Sequence, residues 1–389
     1  MKRLFAICLM TCLLFIIAPI HAQSNPFPLL VTAGLDDATR IYTYENGIYS
    51  LLDTGDFKSY DPDYAPEGMK FVYLRWSQIT VDFMNQIIAE NGNFSYYGEI
   101  PNDVVIYDFE TGENIIIASQ PADANPETLI NSVRHSAPKW SPDGSMIAWT
   151  EFTSVTGEDN RLMYINKLMI YDLATSEIRV SADLPTIFSP FPSSIQWGTN
   201  GVYVYIFNQD TPQPEEIFML FSANGDPLFD IRVPIDFSNY VVSFNPLVAE
   251  DGDREVFAIY YPSGLLKLID NTGAIEEVVG AGPQKYNRLA PNGVANIMMP
   301  ADGNAMSFYV TNPTTFLQEF LLGSVFTTDF VSVSPDGASA VYLDLQTNVA
   351  TLWHDMTVTP IEPPLNDLGE PVYIVSMTWG NQAIRIIRS

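Results

Sequence analysis

Residues His135–Phe152 read H-S-A-P-K-W-S-P-D-G-S-M-I-A-W-T-E-F, and after a polar stretch Asn166–Val180 read N-K-L-M-I-Y-D-L-A-T-S-E-I-R-V. Two apolar segments flank Ser141-Pro142-Asp143-Gly144, and two more flank Ala174-Thr175-Ser176. Proline presets φ at its turn position and glycine accepts φ > 0 without a steric penalty, so Pro-Asp-Gly between apolar runs is hairpin chemistry. The polar stretch between Phe152 and Asn166 is taken as a loop. Four short strands in about 50 residues are the size of one propeller blade.

The same punctuation recurs outward in both directions. It stands at Ala65-Pro66-Glu67-Gly68, Gly198-Thr199-Asn200-Gly201, Ala249-Glu250-Asp251-Gly252, Ala290-Pro291-Asn292-Gly293 and Ser334-Pro335-Asp336-Gly337, with Gly303 a rival turn in the sixth unit. The segments after these turns, Met146–Phe152, Val202–Phe207, Glu255–Tyr261 and Ala338–Leu343, are rich in Val, Ile, Tyr and Phe, as half-buried strands are. A second hairpin follows in each unit, as at Val104–Gly112, Phe218–Gly225 and Leu266–Gly273.

The chain opens on half a unit, Arg40–Gly47 and Ile48–Leu52, and ends on another half, Val375–Gly380 and Ala383–Ile387. Joined, they complete a further blade. The expectation is an all-β chain forming a single β-propeller of seven four-stranded blades, closed by pairing of N- and C-terminal strands, with six or eight blades as alternatives. Closure removes the open edges through which sheets aggregate.

Pro138-Lys139-Trp140-Ser141-Pro142-Asp143-Gly144, with Ile147-Ala148-Trp149 and Ile170-Tyr171-Asp172, resembles the TolB-type, WD-repeat-like propeller repeat of bacterial exported proteins. Val333–Gly337 with Ala340-Val341-Tyr342 is the second closest copy. The resemblance implies a radial ring and an interaction platform, and no particular ligand. The lead-in at 23–37 is too short for the extra N-terminal domain of TolB. Propellers of the prolyl-oligopeptidase kind carry a hydrolase domain, whose G-x-S-x-G elbow does not occur here.

Lys2 and Arg3 followed by the apolar run Leu4–Ile17 and the small residue Ala22 read as a secretory signal peptide cleaved after Ala22. The expected organisation is a signal peptide at 1–22, a lead-in at 23–37 and the propeller at 38–389, exported to the periplasm or beyond the cell. Both cysteines, Cys8 and Cys12, fall inside the leader, so the exported chain relies on its core and not on disulfides. The net charge is −28 at pH 7. That argues against nucleic acid and anionic membrane surfaces as partners.

No residue set announces catalysis or a cofactor site. His135 and His354 are the histidines left outside the leader, and both are read as packing or surface residues. Asp61-Pro62-Asp63 and Asp251-Gly252-Asp253 could offer oxygen ligands to Ca²⁺, but neither completes a known loop pattern. The S-x-D-x-G-x-x-W box of sialidase-type propellers is missing. Trp140, Trp197 and Trp379 recur at one place in the unit, as residues packing between sheets would. Two segments depart from the repeat, the insert Ser77–Pro101 and the connection Gln120–Arg134. Gly92 within the insert is expected to tolerate substitution better than Gly144. The functional expectation is a monomeric, non-enzymatic scaffold for a protein or small ligand, without nucleic acid, membrane insertion or cofactor. The alternative is a propeller enzyme of the lactonase or glycan-active type using carboxylates or Ca²⁺ at the ring mouth. Asn93-Phe94-Ser95 matches a glycosylation acceptor by composition alone.

Overall fold

The computed structural model describes residues 28–34, 39–55, 58–92, 100–156, 162–187, 193–208 and 212–235, and from 243 to 385 the strands together with 271–274, 361–366, 368–373 and 379. The leader at 1–22, the turns at Gly252, Gly293 and Gly337, Gly303, the pair Asp251 and Asp253, and the Asn93 triplet lie outside the described residues.

The chain is nearly all β and runs as successive antiparallel meanders. It starts with β1 (Leu29–Ala33), β2 (Arg40–Glu45) and β3 (Ile48–Leu51). The second sheet holds β4 (Ser59–Tyr64), β5 (Lys70–Trp76), β6 (Asn102–Asp108) and β7 (Asn114–Ala118), with helix α1 (Gln78–Asn91) between β5 and β6. The third holds β8 (Val133–His135), β9 (Lys139–Trp140), β10 (Met146–Thr156), β11 (Leu162–Asp172) and β12 (Glu177–Ile187). The fourth is β13 (Ser194–Gly198), β14 (Gly201–Asn208), β15 (Glu215–Phe221) and β16 (Pro227–Pro234).

A nine-stranded fifth sheet follows. Its first meander is β17 (Ser243–Ala249), β18 (Glu255–Tyr260), β19 (Leu266–Asp270) and β20 (Ile275–Val278). Its second is β21 (Tyr286–Leu289), β22 (Asn296–Met298), β23 (Ala301–Asp302), β24 (Ala305–Thr311) and β25 (Gln318–Val325). Pairing of β17 with β21 joins the two meanders. The sixth sheet is β26 (Val331–Val333), β27 (Ser339–Asp344), β28 (Val349–His354) and β29 (Thr357–Pro360). The last strands, β30 (Ile374–Thr378) and β31 (Ala383–Arg385), return to the first sheet, whose order is β3-β2-β1-β30-β31.

That order corrects the reading of the termini. The two C-terminal strands do not abut β2 directly: β1 lies between, pairing with β2 on one side and β30 on the other, and β31 sits beyond β30. Leu29–Ala33 falls inside the expected lead-in at 23–37, yet all five of its residues are buried. A strand covered on both faces lacks the apolar–polar alternation that marks a half-exposed one. Two further differences lie in the second and third sheets. The insert at 77–101 contains a helix, and the described parts of the polar stretch after Phe152 are strand. Thr153–Thr156 pair with Leu162–Ile165, extending the β10–β11 hairpin to eleven residues a side.

The first five sheets pack face to face in succession. Leu30 and Ile41 of the first meet Tyr64, Phe71 and Val105 of the second. Val72, Leu74 and Ile106 meet Trp140, Ile147 and Trp149 of the third. Ala148, Leu168 and Ile170 meet Trp197 and Val204 of the fourth. Tyr203 and Phe218 meet Phe257 and Ile259 of the fifth, with Tyr203 and Phe257 stacked at 4.5 Å. The Trp379 backbone N–H donates to Ser332 Oγ at 2.9 Å, tying the sixth sheet to the first. Trp140 and Trp149 are wholly buried, and Trp197 and Trp379 nearly so. The recurring tryptophans are therefore wedges between sheets, and burying rings of this size contributes on the order of 2 kcal/mol or more apiece.

Because strands alternate in direction, the tight turns of the second, third and fourth sheets collect at one end and the longer connections at the other. At the turn end Gly68 and Gly144 hold φ of 76° and 71°. The second hairpins turn on a repeated side-chain device: Asp108, Asp172 and Asp270 each accept two backbone N–H groups from the residues just beyond. Many acidic residues are thus turn residues, a local reason for part of the negative charge.

Candidate functional site at the connection end

The connection end of the second and third sheets carries the most built structure outside the repeat. Helix α1 leaves β5 at Trp76, and the insert returns to β6 at Asn102, two residues paired across the sheet. Ser77 Oγ and Thr80 Oγ1 both donate to the Pro101 carbonyl, pinning the helix start to the returning chain. Gly92 ends the helix with φ 77°, its N–H bonded to Ile88 O at 2.7 Å. Gly92 is thus a left-handed helix cap with open space around it, so substitution there carries a backbone cost without a steric one.

The second departure folds onto the first. Ile79 and Phe83 of α1 pack against Leu129, with Ile87 and Ala124 alongside. Asn125 shapes the loop: its Oδ1 accepts from Glu127 N and Thr128 N at 2.8 and 3.0 Å, and Leu129 and Asn131 take φ of 57° and 59°. A small apolar core therefore fixes both inserts as one body.

Beneath that body lies a buried polar network. His135 is 2% exposed. Its Nδ1 is 2.7 Å from the Asn102 carbonyl, and its Nε2 is 3.6 Å from Glu151 Oε1. The Asn102 side chain accepts from His135 N and donates to Tyr60 OH at 2.8 Å and to His135 O. Gln120 donates to both Asn102 O and Val133 O and accepts from Val133 N, each at 2.8 Å. The connection Gln120–Arg134 is thus stitched to β6 and β8 at its ends.

The charges here have physical causes. Burial would raise the Glu151 carboxyl, but His135, the Trp149 indole N–H at 3.4 Å and Lys167 together hold it below its usual range. Burial raises Asp103, opposed by Arg75 at 3.4 Å. Burial also pushes Arg134 down to about 10, its guanidinium 5.3 Å from the Phe152 ring centroid. The outer skin is different: Asp82, Glu90, Asp123 and Glu127 are exposed, together with Ile88 and Ile130. No Lys or Arg occurs between Arg75 and Arg134.

The residues singled out from the sequence are not brought together. His135 and His354 lie in the third and sixth sheets. His354 is exposed, and its Nδ1 is 2.7 Å from Ser339 Oγ directly across the strand pair, at the strand-end place held by Asp108 opposite Lys70 in the second sheet. Asp61-Pro62-Asp63 forms a bulge in β4, with Asp61 at φ 50°. It turns Asp63 inward, where its carboxylate accepts from Trp140 N at 2.9 Å and Lys139 Nζ at 3.2 Å. Its oxygens face a lysine and a backbone amide, which is an intersheet clamp and a poor cation site. Among the described residues no three His, Cys, Asp or Glu side chains gather as metal ligands, and no helix is long and apolar enough to cross a membrane. Asn102, Gln120 and Glu151 were missed by the sequence reading. The apolar spacing Ile79, Phe83, Ile87 before Gly92 was the available signal for α1.

Successive antiparallel sheets packed face to face define a propeller-like architecture, and the chain's structural neighbours are of that type. The β-propeller domain of Swd1 from Myceliophteria thermophila shares 12% identity at a TM-score of 0.41, over 79% of this chain and 88% of that one. Oligogalacturonate lyase from Vibrio parahaemolyticus shares 12% identity at a TM-score of 0.47, over 84% of this chain and 85% of that one. A 6-phosphogluconolactonase-like protein from Bacteroides fragilis shares 12% at 0.41, over 95% and 97%. Enzymes and non-enzymes stand side by side in this group, and likeness at this level bears on no activity. No family model and no curated protein sequence matches the chain.

Proposed function

We propose that the protein is an exported seven-bladed propeller, closed where β1 meets β30, that acts as a non-enzymatic scaffold and presents its connection end to a protein partner. The fifth sheet counts as two blades, β17–β20 and β21–β25. The N-terminal leader pattern, with no cysteine beyond it, supports export. The observation that carries the binding role is the body formed by α1 and the loop around Leu129. It has its own small core and pinned ends, yet α1 contributes no strand to the sheets. A long connection held this firmly is more than a link between strands. Its exposed carboxylates Asp82, Glu90, Asp123 and Glu127, with Ile88 and Ile130 among them, suit a partner of basic and apolar character.

The test compares the two ends of the sheets. Mature protein is immobilised and exposed to solubilised envelope of its own cell. Asp82→Lys with Glu90→Lys alters the connection end, and Glu110→Lys with Glu113→Lys makes the same charge change at the turn end. A partner held by the parent and the turn-end variant, and lost by the α1 variant, supports the reading. Equal behaviour of the two variants refutes it.

A further inference from the structure

We infer that Glu255 is an intersheet latch: a carboxylate on the fifth sheet that completes the inner hairpin turn of the fourth. The starting point is a difference between two turns that look alike in sequence. In the third sheet Ser141 pairs with Met146, and the loop between them supplies its own acceptors. Asp143 Oδ1 accepts from Ser141 Oγ at 2.6 Å and from Ser145 N at 3.0 Å, and Ser141 Oγ accepts from Met146 N at 2.9 Å. In the fourth sheet Gly198 pairs directly with Gly201, leaving only Thr199 and Asn200 in the turn. This shorter turn has neither the serine nor the aspartate.

The missing acceptor arrives from the next sheet. Glu255 Oε2 accepts from Thr199 N at 2.6 Å and from Thr199 Oγ1 at 2.9 Å. Oε1 accepts from Asn200 N at 3.1 Å and from Tyr203 OH at 3.0 Å. Glu255 is 8% exposed, so these four donors are the main replacement for its hydration. Burial, and then the Glu255 charge, push the Tyr203 phenol upward, which keeps it a donor. Gly198 belongs to the same device. A Cβ at that position would overlap the Glu255 carboxylate, so the residue is glycine for lack of space, without a positive φ.

Two other described joints are keyed differently. Asp63 and Ser332 each accept a tryptophan backbone N–H from the following sheet, and neither grips a turn. At the joint between the fourth and fifth sheets, opening the interface and undoing the turn are one event. The latch is a conformational coupling built into that joint.

Hydrogen exchange on the full exported chain reads this directly. Glu255→Gln keeps the shape but sets an NH₂ group among donors. Protection of the Thr199 and Asn200 amides should fall by on the order of tenfold or more, with Ser145 and Met146 unchanged. A steric arm stands apart from the hydrogen-bond arm. Gly198→Ala should lower the urea midpoint in the parent and should have little effect in a Glu255→Ala background, because the obstructing atoms are gone. Unchanged protection at Thr199 and Asn200 in Glu255→Gln overturns the latch. So does a Gly198→Ala effect of the same size with and without Glu255.

Discussion

Asp63 offers the sharpest test of how the second and third sheets are joined. Its carboxylate is fully buried and has two partners from the third sheet, the Trp140 N–H and Lys139 Nζ, the lysine side chain being 12% exposed. Burial raises its carboxyl, and Lys139 and then the Trp140 N–H oppose that rise. Removing one member of a buried charged pair costs about 3–5 kcal/mol, since the other is left uncompensated. Asp63→Ala should fall near the low end of that range, because Lys139 can reach water whereas the Trp140 N–H cannot. Asp63→Asn keeps a carbonyl for Trp140 and should cost about 1–2 kcal/mol. Lys139→Met alone strands a buried carboxylate, so its effect should shrink when Asp63→Ala is also present. Urea titrations of the four variants and the parent give the comparison. Asp63→Ala and Asp63→Asn both within about 0.5 kcal/mol of the parent would refute the clamp.

Other outcomes follow from the same geometry. Gly92→Ala should destabilise by about 1 kcal/mol, because its φ is left-handed although the space around it is open; Gly144→Val should be worse, since its Cβ would also meet Glu67 Oε2 at 3.1 Å, and a titration ranking them in reverse would contradict both. Asp143 is held below the usual carboxyl range, first by the Ser141 hydroxyl and then by Ser145. A depressed folded-state value gives stability that is present above the unfolded value and is lost as pH falls through the folded one, so Asp143→Asn should flatten the loss on acidification below the ordinary Asp value of about 3.9; an unaltered acid limb in circular dichroism would argue against it. Truncation before Val372 removes the partner of β1 and should give aggregation or loss of cooperative unfolding, which light scattering alongside a thermal scan would detect.

How much of this was legible in the sequence differs by element. The hairpins around Gly68, Gly144 and Gly112 were readable because the turn residues act locally, through φ and short-range hydrogen bonds. The termini were misread because Leu29–Ala33 shows no alternation, a property set by neighbours on both faces. Thr153–Thr156 were polar enough to pass for a loop, although Thr and Val favour strands. Gly201 looked equivalent to Gly144 by spacing, yet its turn is two residues shorter. Asp63 and Glu255 were acidic residues among many in the sequence. Their partners, Trp140 and Thr199, lie 77 and 56 residues away, beyond any local pattern. The candidate site was visible only as two over-long connections. That they pack on one another follows from the fold.

The way the insert leaves and re-enters its sheet has a further consequence. Trp76 and Asn102 are cross-strand partners, so the whole of 77–101 begins and ends within about 5 Å, the width of one strand pair. Topologically it is an overgrown hairpin loop. Its length and content can change without shifting the register of β5 against β6. The segment is therefore a cassette, and a homologue could exchange it for a two-residue turn or a larger fold. Under the binding role proposed above, specificity can diverge at that position while the sheets that carry it stay the same.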